Sequence, residues 1–127
     1  MQKDMRDTWT AALRSGKYKQ SRGFLKSDKG HCCLGVLLET IPDTEWHSSR
    51  TNLCGDVIFT AQVGNICTGD VSLNDSLIAA LEMPFKEMSD LINMNDAGVY
   101  DENGKWTGHS YNFNEIADHI EAVIPVT

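Results

Sequence analysis

Apolar residues recur at helical spacing in four stretches of the chain and crowd together in a fifth. The crowded stretch is His31–Ile41, HCCLGVLLETI, the longest apolar run in the sequence. Cys33, Val36, Leu37 and Ile41 share one helical face, and Cys32, Leu34 and Leu38 cover much of the rest. A helix that is apolar on nearly every side is a buried one. A buried strand would show almost the same periodicity, and Pro42, placed as a stop just past the end, favours the helix. Gly35 costs about 1 kcal/mol relative to alanine inside a helix. That cost points to a packing reason, namely the close approach of another backbone.

The four periodic stretches lie around this centre. Asp4–Ser15 aligns Met5, Trp9, Ala12 and Leu13 and is followed by Gly16, a residue suited to a helix C-terminus. Ser72 or Asn74 caps a helix through Glu82 that buries Leu77, Ile78 and Leu81. Pro84 opens a helix through Asn93 as its first residue, with Phe85, Met88, Leu91 and Ile92 inward. Phe113–Val123 carries Ile116, Ala117, Ile120 and Val123 on one face. It starts at an Asn112/Glu115 pair that resembles a capping box and stops before Pro125.

Strand signals are weaker. Asp56–Gln62 and Val63–Cys67 read as two short strands, the second running through Gly64-Asn65. Val99–Trp106 is a hairpin candidate with Asn103-Gly104 at its tip. Lys17–Lys29 is a hairpin or irregular connector anchored by Tyr18, Phe24 and Leu25. DTEWHSSRTN after Pro42 reads as a polar loop with one large apolar residue, Trp46, and Asn95–Gly98 reads as a turn. The expected architecture is a single α+β domain over residues 1–127, rich in helix with a small antiparallel sheet.

Charge changes this picture more than composition does. The chain carries a net charge of −7, but residues 1–29 hold eight of its eleven basic residues and only three acids. The remainder holds three bases and fifteen acids. Such a division predicts an anion-binding segment, or a basic segment docked on an acidic body; two solvated faces are the plain alternative. The acidic body opposes tight, nonspecific binding to duplex DNA. No stretch approaches the roughly 20 apolar residues of a membrane span, and MQKDMRDTWTAALRSG lacks the apolar core of a signal peptide. The expectation is a protein of a reducing cytoplasm whose four cysteines, Cys32, Cys33, Cys54 and Cys67, are free thiols.

Adjacent Cys32 and Cys33 chelate one zinc ion awkwardly, and Cys54 and Cys67 stand apart, so no metal is expected. Asn93-x-Asn95-x-Ala97-Gly98 begins like a calcium loop but has Ala97 and Gly104 where acids are required. His31-Cys32 places an imidazole beside a thiol near a helix start. Adjacency in sequence is not geometry, however, and the apolar surroundings favour inert thiols. No phosphate-loop or nucleotide-fold motif occurs, and no cofactor is expected. The strongest signal is anion binding by Arg14, Lys17, Tyr18 and Gln20, which supply cations, a stacking ring and an amide within one connector.

Three blocks taken together resemble a group of small bacteriophage proteins: Trp9 with Ala12-Leu13-Arg14-Ser15-Gly16-x-Tyr18-x-Gln20, then Cys32-Cys33-Leu34-Gly35-Val36-Leu37, then Asn95-Asp96-x-Gly98 before Phe113-x-x-Ile116-Ala117-Asp118-x-Ile120-Glu121. Residues 99–111 insert a segment where that pattern is often short, and residues 43–70 match nothing in it. The resemblance implies origin rather than mechanism. It leads to the expectation of a non-enzymatic binding protein in the host cytoplasm, acting against a host defence factor. It would sequester a phosphate-containing signalling nucleotide through residues 14–29, in the form of a homo-oligomer. The alternatives are a protein inhibitor whose acidic surface mimics nucleic acid, and a cysteine-dependent enzyme.

Overall fold

The computed structural model describes residues 1–97, 101–105, 107 and 110–127. Among the described residues, five helices accompany an antiparallel sheet of five strands. In chain order these are α1 (Lys3–Arg14), β1 (Lys26–Ser27), β2 (Gly30–His31), α2 (Cys33–Thr40), β3 (Thr44–Thr51), β4 (Val57–Val63), β5 (Ile66–Cys67), α3 (Asp75–Ala80), α4 (Phe85–Asp96) and α5 (Phe113–Val123). The strands are ordered β2-β1-β4-β3, and β5 pairs with the end of β4. The architecture is thus the α+β domain that the pattern predicts. No helix among the described residues is long and apolar enough to cross a membrane.

α2 is the centre. Every residue from Cys33 to Leu38 is buried, and the helix packs against α1, α4 and β2. Its start is held by the Cys32 sulfur, which accepts from the Gly35 N–H. Leu25, itself fully buried, passes directly over Gly35. A β-carbon at position 35 would stand 1.9 Å from the Leu25 carbonyl oxygen. The glycine therefore exists for the backbone approach that its cost implied. Trp9 of α1, with no exposed surface, donates its indole N–H to the Cys33 carbonyl at 2.9 Å. α5 begins with a full capping box in which Asn112 and Glu115 each bind the other's backbone N–H.

Four expectations are corrected. The polar loop after Pro42 is in fact β3, which runs along β4 from Thr44↔Val63 to Thr51↔Val57. It is an edge strand, and its pattern lacks alternation because most of its residues are exposed. The Asn95–Gly98 turn is overridden at its start, since α4 continues through Asp96 with Asn95 fully buried, while Gly98 lies outside the described residues. Pro84 has extended backbone and caps α4 from outside rather than serving as its first residue. Phe85 is 64 % exposed rather than inward, because it starts the helix on the solvent side. The hairpin expected over Val99–Trp106 falls partly outside the described residues. Within it, the Gly104 N–H donates to the Asp101 carbonyl and the Asp101 N–H to the Lys105 carbonyl, which closes a turn.

Candidate functional site

The basic segment is not a free arm. The His31 N–H donates to the Lys19 carbonyl and the Ser21 N–H to the His31 carbonyl, each at 2.8 Å. These two bonds lay residues 19–21 alongside β2. Gly30 has φ +151°, and a β-carbon there would stand 2.3 Å from the Lys19 carbonyl oxygen. The connector and the β1–β2 hairpin consequently fit together only with glycine at this position.

A deeper clasp holds the connector to α4. The Gln20 amide donates to Asn95 Oδ1 and to the Tyr111 carbonyl, each at 3.0 Å. Asn95 in turn donates to the Ser21 carbonyl and to Asp96 Oδ1, and Asp96 Oδ1 accepts from the Gly23 N–H. Buried polar groups persist where their hydrogen bonds are made. Gln20, Asn95 and Asp96 satisfy one another and the loop backbone, which accounts for a fully buried asparagine in a core that is mostly apolar.

Between this docked connector and the hairpin lies an open groove of about 460 Å³. Lys17, Lys19, Lys26 and Lys29 line it, with Tyr18, His31 and Phe59 as its rings. Asp28 is the one acid in this lining. Lys17 Nζ lies 5.4 Å from the Tyr18 ring centroid. Lys26 and Phe59 are directly opposed on β1 and β4. Lys26 Nζ sits 4.9 Å from the Trp46 ring centroid and 3.6 Å from a Glu39 carboxylate oxygen. Lys29 Nζ is 3.4 Å from Asp56. His31 stacks edge-on against Tyr18 and Trp46, and its Nε2 is 3.7 Å from Glu39.

The four residues singled out from sequence therefore divide. Lys17 and Tyr18 line the groove. Arg14 is turned to α5, where its guanidinium binds Asp118 at 2.7 Å and Glu121 at 2.5 Å. Those bonds raise the Arg14 pKa and hold Glu121 below the usual carboxylate range. Gln20 belongs to the clasp. Lys19, Lys26, Lys29, His31 and Phe59 complete the groove. The charge run pointed to the lysines, whereas Phe59 is brought in by a strand pairing that no local signal encodes.

Burial lowers the His31 pKa from its ordinary 6.5, with Glu39 opposing and Lys26 reinforcing the effect. A histidine held neutral in the fold takes its proton more readily when unfolded. Its stabilising contribution is therefore complete above about pH 6.5 and is lost as pH falls below that value. Denaturant titrations between pH 7.5 and pH 5 should show falling stability, and His31→Gln should flatten that slope.

The cysteines divide too. Burial pushes the Cys32 thiol up to about 12 and the Cys33 thiol well above its ordinary value. Cys54 and Cys67 are exposed. A thiol reagent at neutral pH should titrate these two rapidly and the buried pair only on unfolding, with Cys54→Ser/Cys67→Ser left unreactive in the native state.

Fold and site together define a small α+β domain with a lysine-lined, aromatic-walled groove on a chain of net negative charge. The chain belongs to the family described as a domain of unknown function, DUF8296, whose model matches residues 1–124. No curated protein and no solved structure matches it.

Proposed function

We propose that this is a non-enzymatic binding protein that captures a phosphate-bearing ligand, of the nucleotide class, in the Lys17–Lys19–Lys26–Lys29 groove. The observation that carries the reading is the convergence of four lysines and three rings on one groove in a chain of net charge −7. Ammonium groups bind phosphate oxygens as compact point charges. Tyr18 and Phe59 offer faces on which a base stacks. The buried, high-pKa thiols of Cys32 and Cys33 weigh against a nucleophilic enzyme. The block resemblance to small phage proteins supports a setting in an infected host cytoplasm. There the protein would withhold such a nucleotide from a defence system.

The test is calorimetric titration with ATP and, separately, with inorganic phosphate. Binding should weaken with added salt, as screened charge pairs do. Lys17→Ala and Lys29→Ala should each reduce ATP affinity by roughly tenfold, about 1.4 kcal/mol. Arg14→Ala, whose partners are Asp118 and Glu121, should leave that affinity in place. Affinity indifferent to both lysine substitutions, or no binding of either probe, would overturn the reading.

A further inference from the structure

The opposite edge of the sheet carries a second surface. β3 is an edge strand of eight residues, and among the described residues no strand pairs with its outer side. An open edge of this length is a template for another strand. The question is which strand fits, and the pairing of β3 with β4 answers it.

A strand pairs with its own copy only where opposed side chains lie on the same face of the sheet. Against β4, Glu45 is opposite Gln62, His47 opposite Thr60 and Arg50 opposite Ile58. These three share a face because the register shifts between Ser48 and Arg50. Without that bulge, residues 45 and 50 would point to opposite faces. With it, a two-fold axis through His47 sets Glu45 against the partner's Arg50, Trp46 against the partner's Ser48 and Thr44 against the partner's Thr51. Opposite charges directly across an antiparallel pair are favourable, and like charges are not. The strand is thus complementary to itself in charge and in face.

A second feature fits the same register. Leu53, just beyond β3, is fully exposed. It is held out by a structured loop, in which Asn52 Oδ1 accepts from the N–H groups of Cys54 and Asp56 at 3.0 and 2.9 Å. With Thr51 opposite the partner's Thr44, the turn that carries Leu53 falls next to the segment holding the partner's Ile41 and the partner's Pro42. In this chain those positions rim a concavity of about 240 Å³ that Met5 and Thr8 also line.

We propose that β3 pairs antiparallel with β3 of a second copy about His47, forming a two-fold dimer in which Leu53 of each copy enters the concavity at Met5, Ile41 and Pro42 of the other. The lysine groove is lined from the connector, β1, β2 and Phe59 of β4 and takes no residue from β3. The pairing stands independently of what the groove binds.

Analytical ultracentrifugation should show twice the 14.1 kDa chain mass at about 100 μM. Glu45→Arg and Arg50→Glu should each weaken dimerisation at least tenfold, and the double exchange should restore it. Arg50 also binds Asp70 at 3.1 Å, so Arg50→Glu disturbs a contact within the chain. Glu45→Arg alone, and Leu53→Asp, avoid that ambiguity. The register is read by His47→Cys in a Cys54→Ser/Cys67→Ser background. Self-opposed residues stand about 5 Å apart at Cβ, so mild oxidation should cross-link this variant and should not cross-link Glu45→Cys in the same background. A monomeric mass, dimerisation unchanged in both Glu45→Arg and Leu53→Asp, or cross-linking at 45 rather than 47 would overturn the proposal.

Discussion

Gly35→Ala should destabilise the protein by upward of about 3 kcal/mol, beyond the usual cost of overpacking a core. Alanine is the better helix former by about 1 kcal/mol, so an isolated helix would gain from this change. The sign reverses here because the added carbon would meet the Leu25 carbonyl oxygen at 1.9 Å, and that oxygen is backbone. Leu25 cannot yield cheaply. Its carbonyl accepts from the Cys32 N–H at 3.1 Å and its N–H donates to the Asp70 carbonyl at 2.8 Å. Displacing it also moves Lys26, one residue on, which lines the groove and pairs with Phe59. Denaturant unfolding of Gly35→Ala measures the loss directly. Stability equal to the wild type would show that the α2–Leu25 approach is not as close as described.

Trp9→Ala should cost about 3–5 kcal/mol, the range for removing a fully buried tryptophan. A domain of this kind has a total stability of about 5–15 kcal/mol, so the variant should be marginal or unfolded at ambient temperature. Two effects add. The indole has no exposed surface and lies in the core with α2. Its N–H is also the partner of the Cys33 carbonyl, in the first turn of α2. Trp9→Phe separates them, since it keeps most of the apolar volume and gives up the hydrogen bond, worth about 1 kcal/mol net, together with a small part of the packing. Thermal unfolding of the pair should place Trp9→Phe much nearer the wild type than Trp9→Ala.

Elements whose determinants are local were legible in the sequence. The bounds of α5 follow from Asn112, Glu115 and Pro125, and burial of α2 follows from its all-round apolar pattern with Pro42 behind it. The meaning of Gly35 was legible because a glycine costs a helix something and implies a compensating contact. What was not legible depends on partners distant in sequence. β3 has few buried positions, so its strand character comes from β4 and not from alternation. Asn95 looks like a turn residue until Gln20 and Ser21, more than seventy positions earlier, satisfy it in the core. Arg14 looks free until Asp118 and Glu121 arrive from α5. The lysines of the groove were visible as a charge run, but their convergence needed β1 to pair with β4 and residues 19–21 to dock on β2.

The most direct measurement of the groove as a phosphate-ligand site is an amide NMR titration of the isotope-labelled protein with ATP. Shifts should concentrate at residues 17–19 and 26–31 and at Phe59, and should diminish together in Lys17→Ala/Lys29→Ala. Shifts confined to other surfaces, or a spectrum unmoved by ATP, would contradict the assignment of this groove.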